Sequence, residues 1–334
     1  MRTPLVTILT PCYNGETYLP RFFDGILNQT YAPLQLILVN DGSTDRTETV
    51  VKEFKAKLEQ KGIKLVYLRQ ENQGQSAAVN LGLKKITGEY LTWPDSDDIL
   101  PPTSIEEKVD FLENHAEYGF VRTDALFFDE NKLTKPMRTL DRHSPKRKDE
   151  DIFDRLLFEQ NLYSMSGTYM VRTNVLDAVI RDREIFCSRG GQNWQLQLPI
   201  TYAYKGGYID KPLYYCVVRK NSHSRQIKSN EMAEQWQRYD TLKEIIHETL
   251  RRIDGFDHAK YAALVEQKYD RYKFIWTVNH KRFDECETYY QKLKNAKALR
   301  VSDRLKHLLK RNGLCCKMIT AINKGFFYFG IYHF

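Results

Sequence analysis

Two hydrophobic periods alternate along the first third of the chain, and this constrains the fold more than any other feature. Leu5–Thr10 is a short apolar run of strand composition, followed by a polar turn at Tyr13-Asn14-Gly15 and then Leu19, Phe22, Phe23, Ile26 and Leu27 at helical spacing. Gln35–Val39 is a second strand pattern, and Val50, Val51, Phe54 and Leu58 mark one face of a helix that stops at Gly62. Ile63–Leu68 reads as a third strand, Gln75–Lys85 as a third helix ending near Gly88, and Tyr90–Trp93 as a fourth strand. This β-α-β-α-β-α-β order predicts an α/β domain with a mainly parallel sheet and right-handed crossovers. Its ligands are expected beyond the carboxyl ends of the strands.

Four polar loops fall at those ends: Tyr13-Asn14, Asp41, Asn72–Ser76 and Asp95–Asp98. The last brings three carboxylates, Asp95, Asp97 and Asp98, to the end of an apolar run. Like charges so close repel, and holding them at a buried strand end requires a metal ion, hydrogen bonds or protonation. A hard divalent ion bound through one or two of them would present positive charge to a phosphorylated ligand. The other reading is a solvated turn with Ser96 or Asp98 capping a helix. Convergence of four polar loops on one rim favours the binding site.

The net charge of +8 calls for an anionic partner. A nucleotide, a phospholipid surface or a phosphorylated lipid satisfies it. Nucleic acid is not expected, because there is no zinc-type Cys/His spacing and no basic zipper, and the cations are spread along the chain. Six cysteines without a CxxC pair fit a reducing compartment. The N-terminal apolar run is short for a signal peptide, and no segment reaches the roughly 18 apolar residues of a membrane span. A cytoplasmic protein is expected.

Val6–Gly15, Val39–Asp45, Asn72–Gly82 and Gly88–Asp98 together resemble, in order and spacing, the motifs of the family 2 glycosyltransferases of GT-A fold, a Rossmann-like nucleotide-sugar-binding fold. The resemblance covers roughly residues 4 to 225. It implies a nucleotide-sugar donor, most often a UDP-sugar, a Mn or Mg ion, and transfer with inversion at the anomeric carbon. It places the base and ribose against Thr10, Pro11, Tyr13, Asn14 and Asp41, with Asp41 accepting the uracil imino hydrogen. An Asx-turn is the local alternative for Asp41, and both can hold together. Gly74, Gln75 and Ser76 lie where a loop meets a helix N-terminus, suited to phosphate or sugar contacts or simply to capping. Asn80 is a weaker candidate for the same site. Asp95 is implied at the ribose or donor sugar, and Asp97 as the metal ligand.

The second half carries the acceptor side. A helix to about Asn114, strands near Gly119–Thr123 and Ser166–Arg172, and a basic loop from Lys132 to Lys148 are expected, the loop either solvated or touching an anionic acceptor. Ser188–Leu198 resembles the family's acceptor motif, whose usual Glu-Asp is here Gln192-Asn193. An amide can orient a hydroxyl but cannot take its proton near neutral pH. Asp182 or Glu184 could supply a base in its place, or water could take the proton, or the domain could bind donor without efficient transfer. Trp194 is either a wall for a sugar ring or a core residue. Leu213–Arg219 is a strand leading to His223, a candidate second metal ligand, with Arg219 and Arg225 placed to neutralise a diphosphate.

Residues 1–228 are thus expected to form the catalytic domain and 229–334 a helical appendage, with amphipathic helices near 232–251, 259–279, 285–295 and 302–311. The tail from Leu305 is basic, apolar and nearly free of acids, so it is expected either to touch an anionic membrane surface at the inner face or to dock on the catalytic domain. A saccharide or lipid-linked acceptor of cell-envelope type completes the expected partners. The alternative is a nucleotide-sugar-binding subunit with little catalysis.

Overall fold

The computed structural model describes residues 3–140, 147–160, 162, 165–219 and 231–309. The predicted alternation is present: β1 (Val6–Cys12), α1 (Leu19–Leu27), β2 (Leu34–Asp41), α2 (Thr47–Gln60), β3 (Lys64–Gln70), α3 (Gln75–Leu83) and β4 (Tyr90–Thr92). These four strands are mutually parallel in the order β3-β2-β1-β4, with Val6 opposite Leu34 on one side and Tyr90 on the other. Every residue of β2 is buried, as expected of a strand covered on both faces.

Next come α4 (Ser104–Asn114), β5 (Phe120–Asp129), the short β6 (Arg138–Thr139), α5 (Phe153–Leu157), β7 (Tyr169–Arg172), α6 (Thr173–Val179), α7 (Gln192–Ala203) and β8 (Gly206–Val218). β7 is antiparallel between β4 and β5, β6 is antiparallel to β5, and β8 runs parallel to β5 with a register shift around Asp124. The sheet is therefore mixed at this end and parallel at the other. β6 falls within the basic loop expected from Lys132 to Lys148, where Arg138 lies over the Phe127 ring; residues 141–146 of that loop lie outside the described residues.

Sequence periodicity missed α5 and α6, each too short to show a helical face. It also started β8 seven residues late, at Leu213 rather than Gly206. Gly206 and Gly207 read as a turn, but a side chain there would strike the rings of Phe120 and Phe111, so the glycines serve close packing within the strand.

One core lies under α1, α2 and α4, including Phe22, Phe23, Phe54, Ile105 and Leu112. The opposite face is covered by α3, α5, α6 and α7 and by two C-terminal helices, α8 (Met232–Arg251) and α9 (His258–Asn279). Ile246 and Leu250 of α8 and Val265 and Tyr269 of α9 join Leu156, Leu196 and Val79 in one continuous core. α10 (Phe283–Asn295) and α11 (Val301–Leu309) follow, with a small core of Phe274, Val278, Cys286 and Leu293 joining α9 to α10. Among the described residues no helix is long and apolar enough to cross a membrane.

Candidate functional site

The rim begins at the end of β1, where Thr10 is fully buried and its hydroxyl donates to the Pro94 carbonyl at 3.1 Å. This ties the β1 exit to the acidic turn after β4. Tyr13 projects with about half its surface exposed (47%), leaving a ring face open to stacking. Asn14 takes a left-handed φ of 49°, which an Asn tolerates. Its backbone N–H donates to Ser43 Oγ at 2.9 Å and its side-chain oxygen accepts from Thr44 N at 2.9 Å, joining the β1 and β2 loops.

Asp41, at the end of β2, is buried and acts as the hub of the third loop. Its Oδ1 accepts from Gln70 Nε2 (2.7 Å) and Gln73 N (2.9 Å), and its Oδ2 from Gly74 N (2.9 Å). Oδ2 keeps capacity for a further donor. Gly74, at φ 94°, opens α3, and a Cβ there would approach Arg189 Cα to 3.1 Å. The N-terminus of α3 is thereby pressed against the loop that precedes α7.

Gln75 is exposed at this N-terminus, but Ser76 is not available to a ligand. Its hydroxyl is fully buried, 3.2 Å from Ser188 Oγ and 3.4 Å from Gln195 Nε2. Asn80 is also turned inward, its amide bonded to both backbone groups of Ile185 at 2.8 Å. These two residues fix α3 to the 185–188 segment and are not phosphate or sugar ligands.

The three carboxylates after β4 have three different fates. Asp98 is buried and committed to structure, accepting from Tyr214 OH (2.5 Å) and Val217 N (2.7 Å) of β8. Asp97 is partly exposed and paired with Arg219, whose Nε is 2.8 Å from Oδ2, while Arg21 donates to the Asp97 carbonyl. Asp97 Oδ1 carries no bond to the described residues. Burial, reinforced by Asp97, pushes the Asp95 carboxyl up to about 7, against the opposing effects of the Ser166 hydroxyl and Arg219. Burial and the two neighbouring carboxylates raise Asp98 well above the usual carboxylate range. The cluster is an electrostatic deficit that Arg219 only partly offsets.

That donor set fits a hard divalent ion held through one or two carboxylates, with Asp97 Oδ1 and Asp95 as the oxygens at hand. Among the described residues no group of three or more His, Cys, Asp or Glu side chains is arranged to hold a metal. The expected second ligand, His223, and Arg225 lie outside the described residues.

On the acceptor side α7 begins after Gly191, with Gln192 buried and Asn193 half-buried. Asn193 Oδ1 is shielded from solvent and has no hydrogen-bond partner among the described residues. A buried acceptor left unpaired costs on the order of 1–3 kcal/mol, and a hydroxyl from outside the chain can satisfy this one only once the start of α7 shifts to uncover it. The substitute bases fail: Asp182 and Glu184 are exposed, and Glu184 pairs with Lys84 (3.2 Å) at the far end of α3 from Gly74. A nine-residue helix rising about 1.5 Å per residue separates them from the rim. Trp194 lies under Lys268, whose Nζ is 4.9 Å from its ring centre, and packs against the core.

Sequence reasoning missed Tyr214 and Gln195. Tyr214 OH bonds Asp98 and accepts from the Asp95 backbone N–H (3.2 Å), and Gln195 Nε2 reaches Phe186 O (3.0 Å), Ser188 and Ser76. A polar Gln on a core-facing helix position was the available signal for the second. Tyr214 lies in a run of strand composition, Leu213–Arg219, that carries no signal of a polar role.

The sequence profile described as glycosyl transferase family 2 matches residues 7–179, more than half of the chain. An uncharacterized glycosyltransferase of Rickettsia typhi is 40% identical over 110 residues, 33% of this chain and 32% of that protein. The Bacillus subtilis minor teichoic acid biosynthesis protein GgaB is 34% identical over 128 residues, 38% of this chain and 14% of that protein. The chain thus spans less than half the length of the curated relatives it matches. Among solved structures, S. aureus TarS 1–349 in complex with UDP-GlcNAc superposes with a TM-score of 0.62 at 17% identity, covering 96% of this chain and 92% of that one. The mannosyltransferase PcManGT from Pyrobaculum calidifontis, in complex with GDP-Man and Mn2+, gives 0.56 at 16% identity, covering 97% and 89%. The likeness to both establishes the GT-A fold.

Proposed function

The chain belongs to glycosyl transferase family 2, and from that premise we propose that it moves a sugar from a nucleotide-sugar, a UDP-sugar in our reading, to a saccharide or lipid-linked acceptor with inversion. The observation that carries the proposal is the acidic turn after β4, where Asp97 and a carboxyl raised to about 7 at Asp95 face Arg219 beside three other polar loops. A pocket with this charge suits a divalent ion and a diphosphate better than it suits either alone. The complexes of TarS with UDP-GlcNAc and of PcManGT with GDP-Man and Mn2+ support a donor of this class. GgaB's part in teichoic acid biosynthesis supports an acceptor of cell-envelope type.

In this reading Tyr13 stacks on the base, Asp41 Oδ2 accepts its imino hydrogen, and Thr10, Pro11 and Asn14 shape the wall. The exposed Gln75 side chain faces the phosphates, Gly74 holds the turn against Asp41, and Arg219 leaves Asp97 for the diphosphate as the donor enters. Asp97 and Asp95 would hold Mn or Mg, and the ion would stabilise the negative charge growing on the departing diphosphate. Asn193 Oδ1 accepts a hydrogen bond from the attacking hydroxyl and aims its oxygen at the anomeric carbon. The new C–O bond forms as the bond to diphosphate breaks, and the hydroxyl proton passes to water, since the amide cannot take it. Catalytic residues all fall within 1–228, and the tail expected to touch a membrane surface runs beyond residue 309, outside the described residues.

The test is turnover of a panel of UDP- and GDP-sugars with Mn on saccharide and lipid-linked acceptors. Asp97→Ala should lower transfer by at least about 100-fold, the scale of losing one electrostatic contact to the transition state, with folding intact by circular dichroism. A second reading, a donor-binding subunit with little catalysis, is favoured by one observation: no carboxylate stands at Asn193. Donor binding without turnover on any acceptor would decide for it.

A further inference from the structure

Away from the rim, a cavity of about 270 Å³ opens between α9, the turn after α5 and the connection from α10 to α11. Its walls include Gln160, Gln267, Lys268, Arg271, Tyr272 and Arg300. Two of its cations are already matched. Lys268 Nζ bonds the Leu157 carbonyl (2.8 Å) and Glu159 (3.2 Å), and Arg271 Nε bonds Asp303 (3.1 Å) while its other arm donates to the Ala298 carbonyl.

Arg300 is different. Its backbone N–H donates to Asp303 Oδ2 at 3.0 Å, but its guanidinium has no carboxylate partner among the described residues, although it is half-buried beside Arg271. Lys306, one turn into α11, adds a third charge around the same Asp303. Four cations, Lys268, Arg271, Arg300 and Lys306, thus share two carboxylates, Glu159 and Asp303. Burial, followed by the repulsion of Arg271, lowers the proton affinity of Arg300, and burial does the same for Lys306. Holding unmatched cations together in a partly desolvated hollow is unfavourable unless an anion joins them. The fork of a guanidinium matches the paired oxygens of a phosphate, and the amides of Gln160 and Gln267 stand beside it in the same wall, while the Tyr272 phenol is committed to Glu159.

We propose that this cavity binds a phosphate group, as a monoester or diester, with Arg300 as its principal ligand and Arg271 and Lys306 as the supporting charges. The proposal does not depend on the transfer reaction. Lipid headgroups and soluble phosphoesters share this chemistry. Val301, Leu305 and Leu308, exposed on α11 beside Lys306, make the first source concrete enough to test.

Isothermal titration of the full chain with inorganic phosphate at low ionic strength, wild type against R300E and R300Q, provides the test. The loops around Asp41 and Asp97 are unchanged in both variants, so any difference isolates the cavity. R300E should weaken phosphate binding at this site by 10-fold or more and R300Q by a smaller factor, with thermal melts unchanged and raised salt weakening the wild type toward the variants. Should R300E melt early, R300Q carries the comparison. Identical phosphate isotherms for wild type and a folded variant would overturn the proposal. Flotation with phosphatidylglycerol or phosphatidylcholine vesicles then separates the sources. Binding to the former that R300E abolishes identifies a headgroup, and R300E-sensitive phosphate binding without vesicle binding identifies a soluble phosphoester.

Discussion

Asp95, Asp97 and Asp98 are neighbours in sequence with three separate tasks, and each task predicts its own measurement. Because burial holds the Asp95 carboxyl at about 7, well above its ordinary 3.8, lowering the pH through 7 protonates it. Manganese binding, followed by titration calorimetry in buffers of different ionisation heat, should therefore weaken toward acid and release a proton near neutrality. Metal affinity flat from pH 6 to 8 would remove Asp95 from the site. Asp98 depends on Tyr214, and Tyr214→Phe leaves a buried carboxyl short of a donor. A loss of about 1–3 kcal/mol in chemical unfolding is expected, whereas unchanged stability would mean that the Val217 amide alone suffices. At Asn193, restoring a carboxylate with Asn193→Asp should raise turnover and add an acidic limb to the kcat–pH profile. A variant no faster than wild type would place proton removal elsewhere.

Among the elements, α3 and α7 are joined through Ser76, Ser188 and Gln195, so the donor and acceptor sides of the rim are mechanically one piece. Gln195→Ala should raise the KM for donor several-fold with a smaller change in kcat, because it loosens the α3 N-terminus without touching the reacting atoms. A pure stability loss with an unchanged KM would contradict this. Lys108 of α4 is fully buried, its Nζ donating to the Gly167 carbonyl (2.8 Å) and Ser104 Oγ (3.2 Å), and burial lowers it from 10.5 to about 7. Between those two values the unfolded chain holds a proton that the folded chain has released, so this residue makes stability rise with pH across that window. Below about 7 the folded chain must bury the charge, and the penalty is fully present. Lys108→Met should flatten that slope in urea titrations between pH 7 and 10. The elements through β3 and α3 were legible because each is long enough to show a period or a continuous apolar run, and the three-residue β4 because it sits between Gly88 and the acidic turn. α5, α6 and the start of β8 were not, because short helices lack a repeat and glycines read as turns. Ser76 and Asn80 were read toward the ligand for a related reason: a polar residue in a helix looks the same in sequence whether it faces a ligand or a neighbouring loop.

At the scale of the whole molecule, the polar rim could be read from sequence because its four loops are each local to one strand end. The partners that settle each side chain could not, since Tyr214, Arg219 and Gln195 arrive from more than a hundred residues away. The same distance effect hid the continuity of the core, in which Ile246, Leu250, Val265 and Tyr269 of the C-terminal helices pack with Leu196 and Leu156. Residues 1–334 should melt in one cooperative transition, and a fragment of residues 1–228 should aggregate or melt well below it. Two separated transitions would show that the helical region is energetically independent. Asp41 carries this connectedness to the rim, since the carboxylate we propose for the nucleobase also fastens the turn that launches α3. Donor choice and acceptor geometry are therefore not separately tunable: a substitution that trades one base for another also unfastens the helix that braces α7, so a change of nucleotide preference calls for a compensating repair on the acceptor side.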